Sequence, residues 1–160
     1  MYIKWKELLF SIAVSVGIGA LASQLTKESI SIYNSFTKPL LSPPVWLFSI
    51  VWTILYILMG VSAYMIYSAE ASQKEKGDAL RVYGIQLFLN FIWSLIFFNL
   101  HAYLIAFMIL LLLWFAVYIM IERFSAIYIC AGKLQIPYLL WIMFSGYLNL
   151  GIIFLNGSAI

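Results

Sequence analysis

Three apolar stretches of this chain each carry a tryptophan beside polar side chains at helical spacing, and no other residues in it offer chemistry so clearly. In KPLLSPPVWLFSIVWTILYILMG, residues 38–60, Trp52 and Tyr56 are four apart and share a helical face with Met59. In QLFLNFIWSLIFF, residues 86–98, Gln86, Asn90, Trp93 and Phe97 follow one another at spacings of four, three and four. In PYLLWIMFSGYLNLGIIFLN, residues 137–156, Tyr138, Trp141, Ser145 and Asn149 form a further stripe, with Asn156 two turns on. Phe144 adjoins Ser145, and Gly146 beside them leaves room for a flat body. An unpaired amide in hydrocarbon costs several kcal/mol, so Gln86 and Asn90 must face a protein interior. Two readings of them stand side by side: glue between helices, or groups that address a ligand. The candidate ligand-binding set is Trp52, Tyr56, Asn90, Trp93, Trp141, Phe144, Ser145 and Asn149. Its chemistry is stacking on a flat apolar ring plus a few hydrogen bonds, each aromatic contact adding about 0.5–1.5 kcal/mol beyond burial.

Other chemistries lack their residues. Away from the ends of the apolar segments there is no acidic or basic side chain, so proton coupling through an intramembrane carboxylate has no candidate. No metal cluster is expected, because His101 is the one histidine and Cys130, the one cysteine, lies far from it in sequence. A haem would find only methionine as an axial ligand at mid-membrane. A hydrolytic triad is not expected either, with one histidine and no buried aspartate. No cofactor is required by anything in the sequence. The basic residues are scattered over loops, which argues against nucleic acid as a partner.

The elements that must position these residues follow from composition. Of 160 residues, 65% are hydrophobic and 9% charged, and the mean hydropathy is +1.02. A water-soluble surface cannot be built from that. Between Val82 and Ile121 there is no Asp, Glu, Lys or Arg, enough for two bilayer crossings of about 20 residues each. We read an all-α integral membrane protein, one domain over residues 1–160, with five transmembrane helices at 6–25, 43–67, 79–99, 102–123 and 134–155. Ser42 is placed to cap the second helix, with Pro43 and Pro44 in its first turn. The segment 26–42 reads either as an amphipathic stretch lying in the interface with membrane lipid or as a lid over a cavity. Residues 68–79 read as a solvated turn. Trp5 and Trp46 read as interfacial anchors.

Lys4, Lys6 and the apolar run ending in Ala20-Leu21-Ala22 have the outline of a signal peptide. Against that, Ser11, Ser15, Gly19 and Ser23 recur every four residues, a stripe suited to close helix packing. The basic residues sort by side: Lys4, Lys6, Lys74, Lys76, Arg81, Arg123 and Lys133 on one, Lys27 and Lys38 on the other. By the positive-inside tendency the N-terminus is cytoplasmic and the segment 26–42 is outside.

In order and spacing, the three quoted segments resemble the signature segments of the translocator protein family (TspO, the tryptophan-rich sensory protein or peripheral-type benzodiazepine receptor). The resemblance runs from the first helix to Asn156 and fits a bacterial member in the cell membrane. It implies a five-helix bundle, often a homodimer, that binds protoporphyrin IX and other porphyrins, isoquinoline carboxamides and benzodiazepines. It also implies roles proposed for the family: receptor or scavenger in tetrapyrrole metabolism and stress response, tetrapyrrole transporter, or light-dependent degrader of protoporphyrin. In that last case Trp52 and Trp141 would be the catalytic pair. The family's pocket tryptophans match Trp52 and Trp141, and its pocket asparagine matches Asn90. Two positions depart from the pattern. Many relatives have alanine where this chain has Ser145. The end of the fifth helix, LNLGIIFLNG, lacks the tyrosine and basic residue of the animal cholesterol motif, and the loose match at Leu113, Tyr118 and Arg123 lies elsewhere.

Overall fold

The computed structural model describes residues 3–157 and, among them, contains helices and no strand. The ends of the single domain expected over residues 1–160 lie outside the described residues. Five helical spans are long and apolar enough to cross a bilayer: Trp5–Ser29, Val45–Ser68, Gln73–Phe98, Tyr103–Ile127 and Ile129–Leu155. The helices are α1 (Trp5–Thr26), α2 (Ile30–Ser35), α3 (Val45–Ser68), α4 (Gln73–Phe98), α5 (Tyr103–Ile127), α6 (Ile129–Lys133) and α7 (Ile136–Leu155), with a single 3₁₀ turn at Lys27–Ser29 before α2.

Among the boundaries that differ from the sequence reading, three have a local reason. α4 begins at Gln73, inside the stretch read as a turn. There Ser72 forms a capping box, its Oγ accepting from the Glu75 N–H while the Glu75 carboxylate accepts from the Ser72 N–H. α3 begins at Val45 with no side-chain cap, because Ser42 instead donates its hydroxyl to the Pro39 carbonyl at 2.8 Å and closes the preceding turn. The fifth span is two helices. α6 stops at Lys133, and α7 restarts with Pro137 in its first turn, where the ring costs no hydrogen bond. Gln135 at this break is fully buried and donates to the Leu58 carbonyl of α3 at 3.2 Å.

α1 packs against α3 and α4, α4 against α5, and α5 against α6 and α7. α3 faces α7 through aromatic side chains, Phe48 to Trp141 at 5.6 Å and Trp52 to Tyr138 at 6.1 Å between ring centroids. The small-residue stripe of α1 is a packing seam, as its spacing implies. Ser11 donates to the Gly60 carbonyl and Ser15 to the Tyr56 carbonyl, both at 2.7 Å, and Gly19 lies against the Tyr56 ring. α1 is therefore an integral wall of the bundle. Trp5 and Trp46 are exposed, as anchors should be.

The segment between α1 and α3 folds back over the end of the bundle and is fastened there. Asn156 beyond α7 accepts from the Thr37 N–H and donates to the Thr37 carbonyl, both at 2.9 Å. Tyr147 donates to the Leu40 carbonyl at 2.6 Å, and Pro39 rests on Gly151. Phe36 meets Tyr103 edge-on, and Tyr33 meets Phe97 and Phe98. The Lys38 ammonium sits 4.6 Å above the Tyr33 ring, whose hydroxyl is held above its ordinary pKa by burial and stays neutral. Leu40 and Leu41 project outward at 83% and 77% exposure, Leu41 with left-handed backbone (φ 71°). The segment thus covers the bundle while its tip is free to enter the interface; the side chains of Ile30 and Ile32 lie outside the described set.

The closest approach of a helical glycine to another helix's backbone, among the described residues, is at Gly60, where an added Cβ would come within 2.5 Å of the Ile12 Cα. Gly84 has open space at the same test. Gly60→Ala is therefore expected to destabilise the protein by about 1–3 kcal/mol through forced separation of α1 and α3. Gly84→Ala should leave stability equal or raise it by up to about 1 kcal/mol. Unfolding in detergent of the two variants in parallel checks the contrast.

Candidate functional site

Four helices and the folded-back segment enclose a cavity of about 270 Å³ in the half of the bundle nearer that segment. Its walls are Gly19, Ser23 and Thr26 of α1; Phe48, Trp52 and Tyr56 of α3; Asn90, Trp93 and Phe97 of α4; and Ser145 and Leu148 of α7, with Tyr33 as part of the roof. Among the described residues, no charged side chain lines it. Ala20, Ser23, Ser49 and Thr53 line it and are also exposed, so the cavity opens sideways between α1 and α3 through small side chains.

Trp52 is the hub of the aromatic wall. Its ring centroid lies 6.1 Å from Phe48, 5.8 Å from Tyr56, 5.9 Å from Trp93 and 6.1 Å from Tyr138, and Trp93 continues to Phe97 at 5.6 Å. Beneath it runs a buried hydrogen-bond chain across three helices. Tyr56 donates to Asn90 Oδ1 at 2.8 Å, Asn90 Nδ2 donates to the Tyr138 hydroxyl at 2.8 Å, and Tyr138 donates to Gln86 Oε1 at 2.9 Å. Gln86 ends the chain with a long contact from its Nε2 to Met59 Sδ at 3.9 Å. Both polar ends of Asn90 are thereby engaged, so its helix-joining role is realised even though it borders the cavity.

Other donors remain free. Trp93 Nε1, Trp141 Nε1 and Ser145 Oγ are buried and have no hydrogen-bond partner, and Trp93 and Ser145 border the cavity. Buried polar groups are nearly always paired, so unpaired donors on residues that line a cavity are places where a small side-chain shift lets a guest bond.

Of the eight residues singled out from the sequence, Trp52, Tyr56, Asn90, Trp93 and Ser145 line this cavity and Trp141, Phe144 and Asn149 do not. The 3-4-4 spacing on α7 drifts: at about 100° per residue, Trp141 and Asn149 sit about 80° apart around the helix. Trp141 therefore leans out against Phe48 and Phe144, while Asn149 turns to α5 and donates to the Tyr103 carbonyl at 2.8 Å. Gly146 faces Phe107 and Leu110 of α5 and does not line the cavity. Sequence reasoning missed the α1 wall and the part played by Tyr33 and Phe48. The α1 residues fall on or beside the small-residue stripe, which signalled close packing without showing which neighbour stops short of it.

Comparison with known proteins now bears on this geometry. Residues 11–155 match the model of the TspO/MBR family. The chain belongs to that family. It is 33% identical over 93% of its length to the tryptophan-rich protein TspO of Chlorobaculum tepidum, covering 95% of that protein. It is 35% identical over 94% of its length to the protein of the same name from Archaeoglobus fulgidus, covering 97%. It is 31% identical over 88% of its length to the human translocator protein, covering 83%. Membership gives the chain a receptor- or transporter-type role as an integral, multi-pass membrane protein. Within the TspO/MBR family frame, the cavity under the folded-back segment is the candidate site.

The hydrogen-bond chain makes a graded prediction. Tyr138→Phe orphans two buried groups, Asn90 Nδ2 and Gln86 Oε1, whereas Tyr56→Phe orphans only Asn90 Oδ1. Each lost bond should cost about 0.6–2 kcal/mol in a membrane protein, so Tyr138→Phe should be the less stable of the two in detergent unfolding.

Proposed function

We propose that this protein is a membrane receptor or scavenger for porphyrins, protoporphyrin IX above all, which it holds in the cavity between α1, α3, α4 and α7. Isoquinoline carboxamides and benzodiazepines are smaller ligands of the same shape and chemistry. The observation that carries the reading is the pair of unpartnered donors, Trp93 Nε1 and Ser145 Oγ, on residues of a charge-free wall built of aromatic rings, small apolar side chains and a few hydroxyls. A flat conjugated ring with a few acceptor atoms meets both features, with rings for its faces and N–H and O–H groups for its edge. The cavity volume, about 270 Å³, lies just below the range for small-molecule pockets, about 300–1,000 Å³. A macrocycle therefore uses the opening between α1 and α3 as well as the enclosed space. The basic-residue asymmetry supports placing the α1 start at the cytoplasmic face of a bacterial cell membrane, and the roof outside.

Titration of the purified protein with protoporphyrin IX should quench tryptophan fluorescence saturably. Ser145→Leu, which fills the cavity, should weaken binding about tenfold or more, equivalent to about 1.4 kcal/mol. Asn90→Ala should weaken it less and lower stability as well. Linear, unsaturable quenching in the unaltered protein, or an affinity that Ser145→Leu leaves untouched, would sink the proposal.

A second reading, light-driven breakdown of the bound ring, is favoured by one arrangement. Trp52 borders the cavity and touches two further oxidisable rings, Trp93 and Tyr56. The pigment and oxygen would supply the chemistry, and the protein the position. Under illumination with protoporphyrin IX, Trp52→Phe should slow the absorbance loss or change its product. Trp141→Phe, which stands behind Phe48, should do neither. Identical rate and product in Trp52→Phe would remove tryptophan participation.

A further inference from the structure

At the opposite end of the bundle α1, α3 and α4 enclose a second cavity, of about 450 Å³, that the reading above does not use. Its chemistry is different, because charged groups stand at its rim. Lys6 and Glu7 of α1 line it, with Phe10 and Val14 of α1 and Leu80 of α4 as its apolar flank and Tyr83 of α4 deeper in. Two polar atoms there are enclosed and have no partner. Glu7 places Oε1 3.4 Å from the Lys4 ammonium, on the exposed side, but its Oε2 is shut away from solvent and unpaired. The Tyr83 hydroxyl, on a side chain only 8% exposed, is likewise unpaired. Ser15 flanks that phenol without meeting hydrogen-bond geometry and gives its own proton to the Tyr56 carbonyl. A desolvated carboxylate oxygen without a donor and a phenol without an acceptor are both costly to leave open.

We infer that this cavity is a binding site for an aminophospholipid of the adjoining leaflet. Its ammonium group meets Glu7 Oε2, its phosphate and ester oxygens accept from Tyr83 and Lys6, and an acyl chain lies along Phe10, Val14 and Leu80. Three facts select that class. The open carboxylate oxygen calls for an N–H donor, which an ammonium headgroup has and a trimethylammonium headgroup lacks. The open phenol and Lys6 call for oxygen acceptors on the same molecule. The apolar flank faces outward within the first three turns of a spanning helix, with Phe10 71% and Val14 40% exposed, where an acyl chain is the natural neighbour. Lys6 at a helix end reaches the phosphate level of a bilayer without leaving its stem's apolar contacts.

The test is delipidated full-length protein in detergent, titrated with phosphatidylethanolamine, phosphatidylcholine or soluble phosphoethanolamine, with bound lipid counted by native mass spectrometry. Phosphatidylethanolamine should be retained about fivefold or more over phosphatidylcholine. Glu7→Ala and Tyr83→Phe should each erase most of that preference, and Ala63→Leu, which fills the cavity, should reduce retention of both lipids. Unfolding midpoints of the variants separate lost binding from lost folding. Protoporphyrin titration of the same variants should remain as in the unaltered protein, so failure here and failure of the porphyrin reading are distinguishable. Equal retention of the two lipids, a preference that survives both Glu7→Ala and Tyr83→Phe, or phosphoethanolamine binding as tightly as the whole lipid would overturn the inference.

Discussion

Everything in the half of this bundle under the folded-back segment depends on the requirement that a polar group inside hydrocarbon find its partner within the protein. Gln86, Asn90, Tyr56 and Tyr138 meet it together, and in doing so they fix the rotation of α3, α4 and α7 about their own axes. Once Tyr56 and Asn90 point at one another, the helical repeat dictates where Trp52 and Trp93 point, and they meet above the chain. Those rings line the cavity together with Tyr56 and Asn90 of the chain. Its apolar character and its two open donors are what remain after the interior polar groups have satisfied one another.

The two ends of the molecule obey different rules because their surroundings differ. Under the folded-back segment the walls are rings and small side chains, and polar character is limited to a few hydroxyls, an amide and indole edges. At the start of α1 the chain leaves hydrocarbon, so Lys4, Lys6 and Glu7 are tolerated, and the neighbouring cavity acquires charge. The middle of the bundle, where α1 closes onto α3 at Gly60 with Ser11 and Ser15 bonded across, separates the two spaces.

Much of this was legible in the sequence. Five spans follow from apolar runs that hydrocarbon permits only as helix, and the buried faces of α3 and α4 follow from spacings of three and four that keep Trp52, Tyr56, Asn90 and Trp93 together. The rest required three dimensions. The stripe on α7 is long enough to wind away from the cavity, which is how Trp141 and Asn149 reach other neighbours. The early start of α4 rests on Ser72 and Glu75 in a segment whose charge density reads as a turn. Gly19 and Ser23 announce a close approach, but only the placement of α3 shows that contact stops at Tyr56 and space begins beyond it. The choice between lid and interfacial segment dissolves, since Tyr33 and Phe36 turn in while Leu40 and Leu41 turn out.

The grip of Asn156 on both backbone groups of Thr37 joins residues 119 apart in the chain. In effect it ties the molecule into a ring, and closing a loop of that length is worthwhile only once the intervening helices are already packed. The roof of the cavity is therefore among the last parts of the structure to form during membrane insertion, waiting on the final helix. A chain arrested before α7 is in place has four of its spans and most of its aromatic residues, but its cavity has neither the wall at Ser145 and Leu148 nor a fastened ceiling.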